Sequence, residues 1–304
     1  MLDPRGLFEV QATLPEFRRP VLVHALDGFV DAGRVTGLTR EHIFGTCQSE
    51  VIVTFDADQL FDYRARRPEM VFKTDHWESF AEPRLAIHAV RDAAGTAFVL
   101  LSGPEPDTQW ERFAAAVELI VRQLDVQLVI GLDSIPMGVP HTRPTSVIAH
   151  GSPRELVSDY NAWLGTVQVP ASAGHLLEFR LGRAGFDSMG FAANVPYYLA
   201  HLDYPEAAAK LLDCVARAGN LQIPADALTE AALSVRGEID SQIAAAEEVA
   251  ALVRTLEVQY DAIVAGRGNS LLADGARLPS ADEIGAEFEQ YLARQPRPGE
   301  TQPD

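Results

Sequence analysis

Cysteine is almost absent. Cys47 and Cys214 are the only two in 304 residues, too few for a disulfide framework or a cysteine zinc site. That scarcity fits a reducing compartment, and both thiols are expected to be free and buried rather than catalytic. No apolar run reaches the roughly 18 to 20 residues of a membrane span, and Met1-Leu2-Asp3-Pro4-Arg5 lacks a charged-then-apolar signal segment. The expected location is the cytoplasm, with no membrane partner. Positive charge is scarce too: 25 Lys and Arg stand against 43 Asp and Glu, a formal charge of −18. Such a surface repels a polyphosphate backbone, so DNA and RNA drop out as partners. The one basic cluster, Tyr63-Arg64-Ala65-Arg66-Arg67-Pro68, reads first as a solvated or locally paired surface.

Several catalytic signatures are missing as well. The eight histidines, His24, His42, His76, His88, His141, His150, His175 and His201, contain no pair at the three- or four-residue spacing of helical ligands. Zinc is disfavoured, and no motif calls for a metal or any other cofactor. Gly131-Leu132-Asp133-Ser134-Ile135 lacks the glycine-flanked serine of a nucleophile elbow, so Ser134 reads as a loop serine. Gly28-Phe29-Val30-Asp31-Ala32-Gly33-Arg34-Val35 has the glycine spacing of a P-loop. Arg34 and Val35 replace its lysine and hydroxyl, however, and Asp31 would repel phosphate.

What is present points to an α/β protein. Hydrophobic residues make up 47% of the chain, ample for a packed core. Apolar runs at 20–26, 50–55, 84–90, 96–101, 126–132, 145–149 and 186–192 predict strands, alternating with helix-periodic segments. Asp92-Ala93-Ala94-Gly95 joins two of these runs as a hairpin, which predicts a mixed, mostly parallel sheet flanked by helices. Trp110, Phe113, Val117, Ile120, Val121 and Leu124 form one helical stripe that should pack on the sheet.

From residue 205 onward strand signals stop, which predicts an α-helical C-terminal appendage. Residues 205–218 form one amphipathic helix closed at Gly219-Asn220, and a longer helix starts near Asp226. Its apolar stripe needs a partner, either this chain's core or another subunit. Gly266, Gly268, Asn269 and Gly275 read as a mobile connector, and Ser280-Ala281-Asp282-Glu283 as a capping box opening a short helix to about Arg294. The expected organisation is an α/β core over 1–204, a helical unit over 205–294 and a disordered tail over 295–304.

Two loops carry the candidate chemistry. The first follows the run Val21-Leu22-Val23-His24-Ala25-Leu26 with Asp27, Gly28, Asp31 and Gly33, at the carboxyl end of a strand where open α/β sheets place ligands. Asp31 can equally cap the helix beginning near Ala32. The second, Val139-Pro140-His141-Thr142-Arg143-Pro144, offers a guanidinium to clamp a carboxylate and an imidazole to exchange protons. Its structural alternative is a rigid loop with Arg143 paired to Asp27, Asp31 or Asp133. Asn194 stands just after another predicted strand and completes a candidate ligand set of Asp27, Gly28, Asp31, Gly33, His141, Arg143 and Asn194, with no catalytic residue among them.

Taken in order, the Asp27 to Gly33 turn, Asp62 to Pro68, Val139 to Pro144, Val195-Pro196-Tyr197-Tyr198-Leu199-Ala200 and Leu256-Glu257-Val258-Gln259-Tyr260-Asp261 resemble blocks of the PAC2 (proteasome assembly chaperone 2) family in its actinobacterial form. The resemblance spans about residues 5 to 292. It implies a fold similar to nucleoside phosphorylase and peptidyl-tRNA hydrolase-like proteins, and a role in macromolecular assembly. Some relatives dock on proteasomes through a hydrophobic-Tyr-any tail, whereas this chain ends Gln302-Pro303-Asp304 with proline in the tyrosine position. Any assembly activity would use another surface, such as the helical unit or an oligomer rim. The function expected is thus a non-enzymatic, homo-oligomeric binding or assembly-chaperone-like factor with a trimer as its subunit number. The alternative is a small-metabolite sensor or enzyme of phosphorylase or hydrolase type, with its pocket at the carboxyl edge of the sheet.

Overall fold

Every residue from Val21 to Leu26 is buried, as a strand covered on both faces requires. This strand lies near the middle of an eight-stranded sheet in a computed structural model that describes residues 2–11, 15–160 and 166–265. The strands are β1 (Phe8–Val10), β2 (Val21–Asp27), β3 (Gln48–Phe55), β4 (Met70–Lys73), β5 (His76–Phe80), β6 (Ala86–Arg91), β7 (Ala97–Pro104), β8 (Leu128–Met137), β9 (Val147–Ser152) and β10 (Ser188–Pro196). The helices are α1 (Val35–Thr46), α2 (Ala57–Leu60), α3 (Trp110–Gln123), α4 (Ala173–Arg183), α5 (Pro205–Gly219), α6 (Asp226–Ala244) and α7 (Glu247–Ala265).

Sheet order is β1-β3-β6-β7-β2-β8-β10-β9, while among the described residues β4 and β5 pair only with each other as a separate hairpin. The four inner strands β7, β2, β8 and β10 run parallel, and antiparallel strands flank them on both sides. The sheet is therefore mixed, with the Asp92 to Gly95 hairpin turning β6 into β7. Asp92 accepts the N–H groups of Ala94 and Thr96 there, and Gly95 takes a φ of +81°.

Alternation along β2 sorts the core into two layers. Val21, Val23 and Ala25 face α1 and α5 in one cluster with Ile43, Leu211 and Val215. Leu22 and Leu26 face α3 and α4 on the other side, packed with Phe113, Val117, Leu177 and Leu181. The α3 stripe therefore lies on the sheet as its spacing predicts. Asn220 closes α5 in the left-handed conformation, φ 51° and ψ 48°.

Differences from the sequence reading have local causes. The helix expected from Asp226 is two helices, although alanines at the junction favour continuity. Tertiary anchors override that propensity: Arg236 of α6 donates to Glu206 at 2.7 Å, while α7 folds back to meet Arg143. Leu228 and Ile239 bury against the chain's own core, which satisfies part of the apolar stripe. Ser134 is a β8 residue with no exposed surface rather than a loop serine, and Asn194 lies inside β10 rather than after it. The glycine-rich connector, the Ser280 capping box, the short helix to Arg294 and the terminal tail lie outside the described residues.

Candidate functional site

Register across four strands sets one row of residues: His24 opposite Gly131, Gly131 opposite Gly190, and Gly190 opposite His150. The two glycines leave a slot, and Glu178 of α4 fills it. A β-carbon on Gly131 would stand 1.8 Å from Glu178 Oε1, and one on Gly190 3.0 Å from the same atom. Glycine inside a strand here marks close approach by another group. Glu178 Oε2 accepts from His150 Nε2 at 2.5 Å, and Oε1 lies 3.2 Å from His24 Nε2. The His24 contact is an ion-pair distance without hydrogen-bond alignment, so among the described residues this nitrogen, on a residue only 3% exposed, has no well-directed partner.

These contacts set the protonation chemistry. Burial would push the Glu178 carboxyl up, but His150 and His24 outweigh it and hold the carboxyl down at about 2. Burial likewise works against a charged His150, yet its bond to Glu178 leaves its pKa raised overall. Two residues beyond Gly131 on the same face, Asp133 Oδ2 meets His175 Nε2 at 2.9 Å and raises that imidazole as well. The rings of His150 and His175 stand 6.4 Å apart. The amino end of α4 fixes His175: Ser172 Oγ accepts the His175 N–H at 3.0 Å, and buried Glu105 accepts that of Ala173.

A line of five ionisable groups results, Asp133, His175, His150, Glu178 and His24. Both carboxylates are committed to imidazoles, which ties α4 to the sheet. His150 and His175 are the most exposed members, with side chains 45% and 41% exposed against 22% for Asp133 and 11% for Glu178. Among the described residues no cluster of three or more His, Cys, Asp or Glu is arranged to hold a metal ion.

The residues singled out from sequence are placed as follows. Asp31 accepts the N–H groups of Thr36 at 2.8 Å and Gly37 at 3.1 Å, so it caps α1, which begins at Val35 rather than near Ala32. Its Oδ1 also accepts Ser134 Oγ at 2.9 Å, linking the turn to β8 next to Asp133. Asp31→Ala removes the cap and orphans a buried hydroxyl, so urea unfolding should report a loss of about 2 kcal/mol. Asp27 pairs with Arg40. Gly28 lies against Glu105, 3.7 Å from its Oε2 when a β-carbon is built. Gly33 adopts φ +68°, and a β-carbon there would meet Tyr204 Cβ at 2.8 Å. Its N–H donates to Ala200 O at 2.7 Å. Arg34 is held by Asp203 at 2.9 Å and Glu41 at 2.6 Å.

The second loop turns toward the C-terminal helices. His141 is buried, its Nδ1 2.7 Å from Tyr198 Oη and its Nε2 3.0 Å from Asp240 of α6. Arg143 forms a fork with Asp261 at 2.8 and 2.6 Å and reaches Glu257 at 3.3 Å. Its partners are therefore carboxylates of α7, not the Asp27, Asp31 or Asp133 expected from sequence. The reason is the helix break at Ala245, which brings α7 over this loop. Tyr260 Oη adds a bond to Pro144 O at 3.2 Å. Asn194 Nδ2 donates to Ser146 Oγ at 2.8 Å.

The structure thus ties the two loops to a shared support, the segment after β10, through Ala200 and Tyr204 on one side and Tyr198 on the other. It does not join them by a charge pair between Arg143 and Asp27 or Asp31. Sequence reasoning missed the Glu178 row. The available signal was Gly131 and Gly190 inside apolar strands, each a mark of close approach.

Solved structures similar to this chain include the following three. A Mycobacterium tuberculosis protein of unknown function is 46% identical with a TM-score of 0.82, over 86% of this chain and 91% of that one. A Corynebacterium glutamicum protein of unknown function is 35% identical with a TM-score of 0.83, over 86% and 99%. A Mycobacterium tuberculosis proteasome-assembly chaperone homologue is 26% identical with a TM-score of 0.71, over 77% and 99%. Among curated proteins nothing matches. The pattern of the PAC2 family covers residues 25–243, well over half of the sequence, and the chain belongs to that family.

Proposed function

We propose that this PAC2 protein is a non-enzymatic, homo-oligomeric binding factor that serves macromolecular assembly in the cytoplasm, with a trimer as its subunit number. The observation that carries the reading is its likeness to a proteasome-assembly chaperone homologue, 26% identical over 77% of the chain. The state of the site supports it: Asp31, Asp133 and Glu178 are committed to a helix cap or to imidazoles, and Arg143 to two carboxylates. Its partner is a protein, because a charge of −18 opposes nucleic acid. No helix among the described residues is long and apolar enough to cross a membrane. The helical unit from residue 205 is the second functional part, with α5 as its seat on the core.

Purification of a tagged full chain from its own cells tests this directly. An incomplete assembly should co-purify with it, and failure to recover any stable protein partner contradicts the reading.

A second reading, a small-metabolite sensor or enzyme of phosphorylase or hydrolase type, draws on the half-exposed His150 and His175 beside buried acids. It gives Asp27, Gly28, Asp31, Gly33, His141, Arg143 and Asn194 a ligand-holding role. A metabolite thermal-shift screen separates the two. A ligand at about 100 times its Kd adds roughly 2.7 kcal/mol, or several degrees in a domain of this size. The assembly reading expects no such shift.

A further inference from the structure

We infer that the outer face of α4, a row of His175, Phe179 and Arg183 with Arg180 beside it, docks an acidic segment of another protein, whose carboxylates meet the guanidiniums and whose apolar side chain meets the Phe179 ring. The inference rests on the protein partner proposed above and names the surface that meets it.

The two faces of α4 follow from helical spacing. Ala173, Leu177 and Leu181, four apart, are buried against the body of the chain. His175, Phe179 and Arg183, also four apart, run along the side away from them. Phe179 is 53% exposed, and a single exposed ring means little by itself. This one is bracketed by cations. Arg180 and Arg183 hold their guanidiniums 5.4 and 5.5 Å from the centre of the Phe179 ring, within cation–π range. Glu111 of α3 accepts from Arg180 Nε at 2.8 Å, so that guanidinium is oriented before any partner arrives. Arg183 has no carboxylate partner among the described residues. An ordered aromatic ring beside an unpaired guanidinium is the pairing that dominates protein interfaces.

Charge fixes the kind of partner. Among the described α-helices, α4 alone carries more Arg and Lys than Asp and Glu, and its one acid, Glu178, is turned inward to His150. What α4 shows to solvent is therefore cationic, on a chain of formal charge −18. Distant charges are screened beyond about 8 Å at physiological ionic strength, so a docked segment feels the local sign. An acidic segment is held here and repelled elsewhere. A second copy meeting through the same face would set Arg183 against Arg183, which disfavours a twofold contact.

Fluorescence anisotropy on the purified full chain tests this with two labelled peptides, one built of Glu and Leu and the other of Glu alone. The Glu and Leu peptide should bind about tenfold more tightly than Glu alone, and both should weaken as salt rises. Phe179→Ala and Arg183→Glu should each weaken it about tenfold with an unchanged circular dichroism spectrum. Arg254→Glu, the same charge change at an exposed position of α7, should leave binding unchanged. No binding, equal binding of the two peptides, or an equal loss in Arg254→Glu overturns docking on α4. In cells, the tagged Arg183→Glu chain should lose a protein that the wild type retains. A partner kept by that variant overturns the α4 surface and leaves the partner reading standing, whereas a wild type that retains none overturns both. A fall in the mass of the purified chain on Arg183→Glu, read by light scattering, gives the face to a second copy and overturns the inference.

Discussion

Gly131→Ala is expected to cost the fold about 3 kcal/mol and to lower the unfolding temperature by roughly 6 to 12 °C. The added methyl would lie 1.8 Å from Glu178 Oε1 and 2.6 Å from His24 Nε2, both in the buried layer under α4. Neither neighbour can give way cheaply, because moving Glu178 separates a buried carboxylate from its imidazoles. Gly190→Ala should cost less. Its new methyl would meet His150 Nε2 at 2.3 Å, and that ring is 45% exposed and can swing outward. Pairing Gly131→Ala with Glu178→Ala should recover part of the loss, since the second change empties the slot. Equal costs at the two glycines, or additive losses in the pair, would contradict the row as described.

Replacing Glu178 by Gln should produce a stability difference from wild type that depends on pH as a bell. The folded carboxyl is held at about 2 against an ordinary 4.5, so its contribution is present above about 4.5 and is lost as pH falls toward 2. His150 is shifted the other way, its pKa raised although burial opposes the charge. Its contribution is complete below its ordinary 6.5 and fades as pH rises through its higher folded value. Both ends describe one ion pair, so they are not added. The difference should peak between about 4.5 and 6.5 at roughly 3 kcal/mol, read from urea midpoints. His88 acts in the opposite sense in both proteins: burial, then Arg84, holds it down at about 4, so its contribution is lost as pH falls from 6.5 toward 4. Comparing wild type with variant cancels that slope. A difference independent of pH would mean the Glu178 contact is not ionic.

Much of the fold was legible because its signals are local. The buried run at Val21, the Asp92 to Gly95 hairpin and the Phe113, Val117, Ile120 stripe each state their element within a few residues. The α4 helix is not evident in the sequence, since His175, Glu178 and Arg180 interrupt it and only Ala173, Leu177 and Leu181 mark its buried face. The β4–β5 hairpin hid because its strands are exposed throughout and lack the buried face that alternation reports. The break after Ala244 is set by distant anchors, not by any local breaker.

The site was legible only in pieces. Asp31 was recognisable as a helix cap, but its bond to Ser134 depends on where β8 runs beside β2. Arg143 was recognisable as a fork seeking carboxylates, yet which ones it finds is decided by the fold of α7. The blocks quoted for the family do meet in space, Thr142 and Arg143 against Glu257 and Asp261, and Tyr198 against His141. Their shared chemistry is mutual support. The Glu178 row needed the register of four strands, which no linear spacing contains.

Native mass spectrometry of the tagged full chain, released gently from its own cells, tests the central claim most directly. The account predicts several copies of the 33.1 kDa chain held together with at least one other protein. A single copy at 33.1 kDa, alone or carrying only a small molecule, would contradict it.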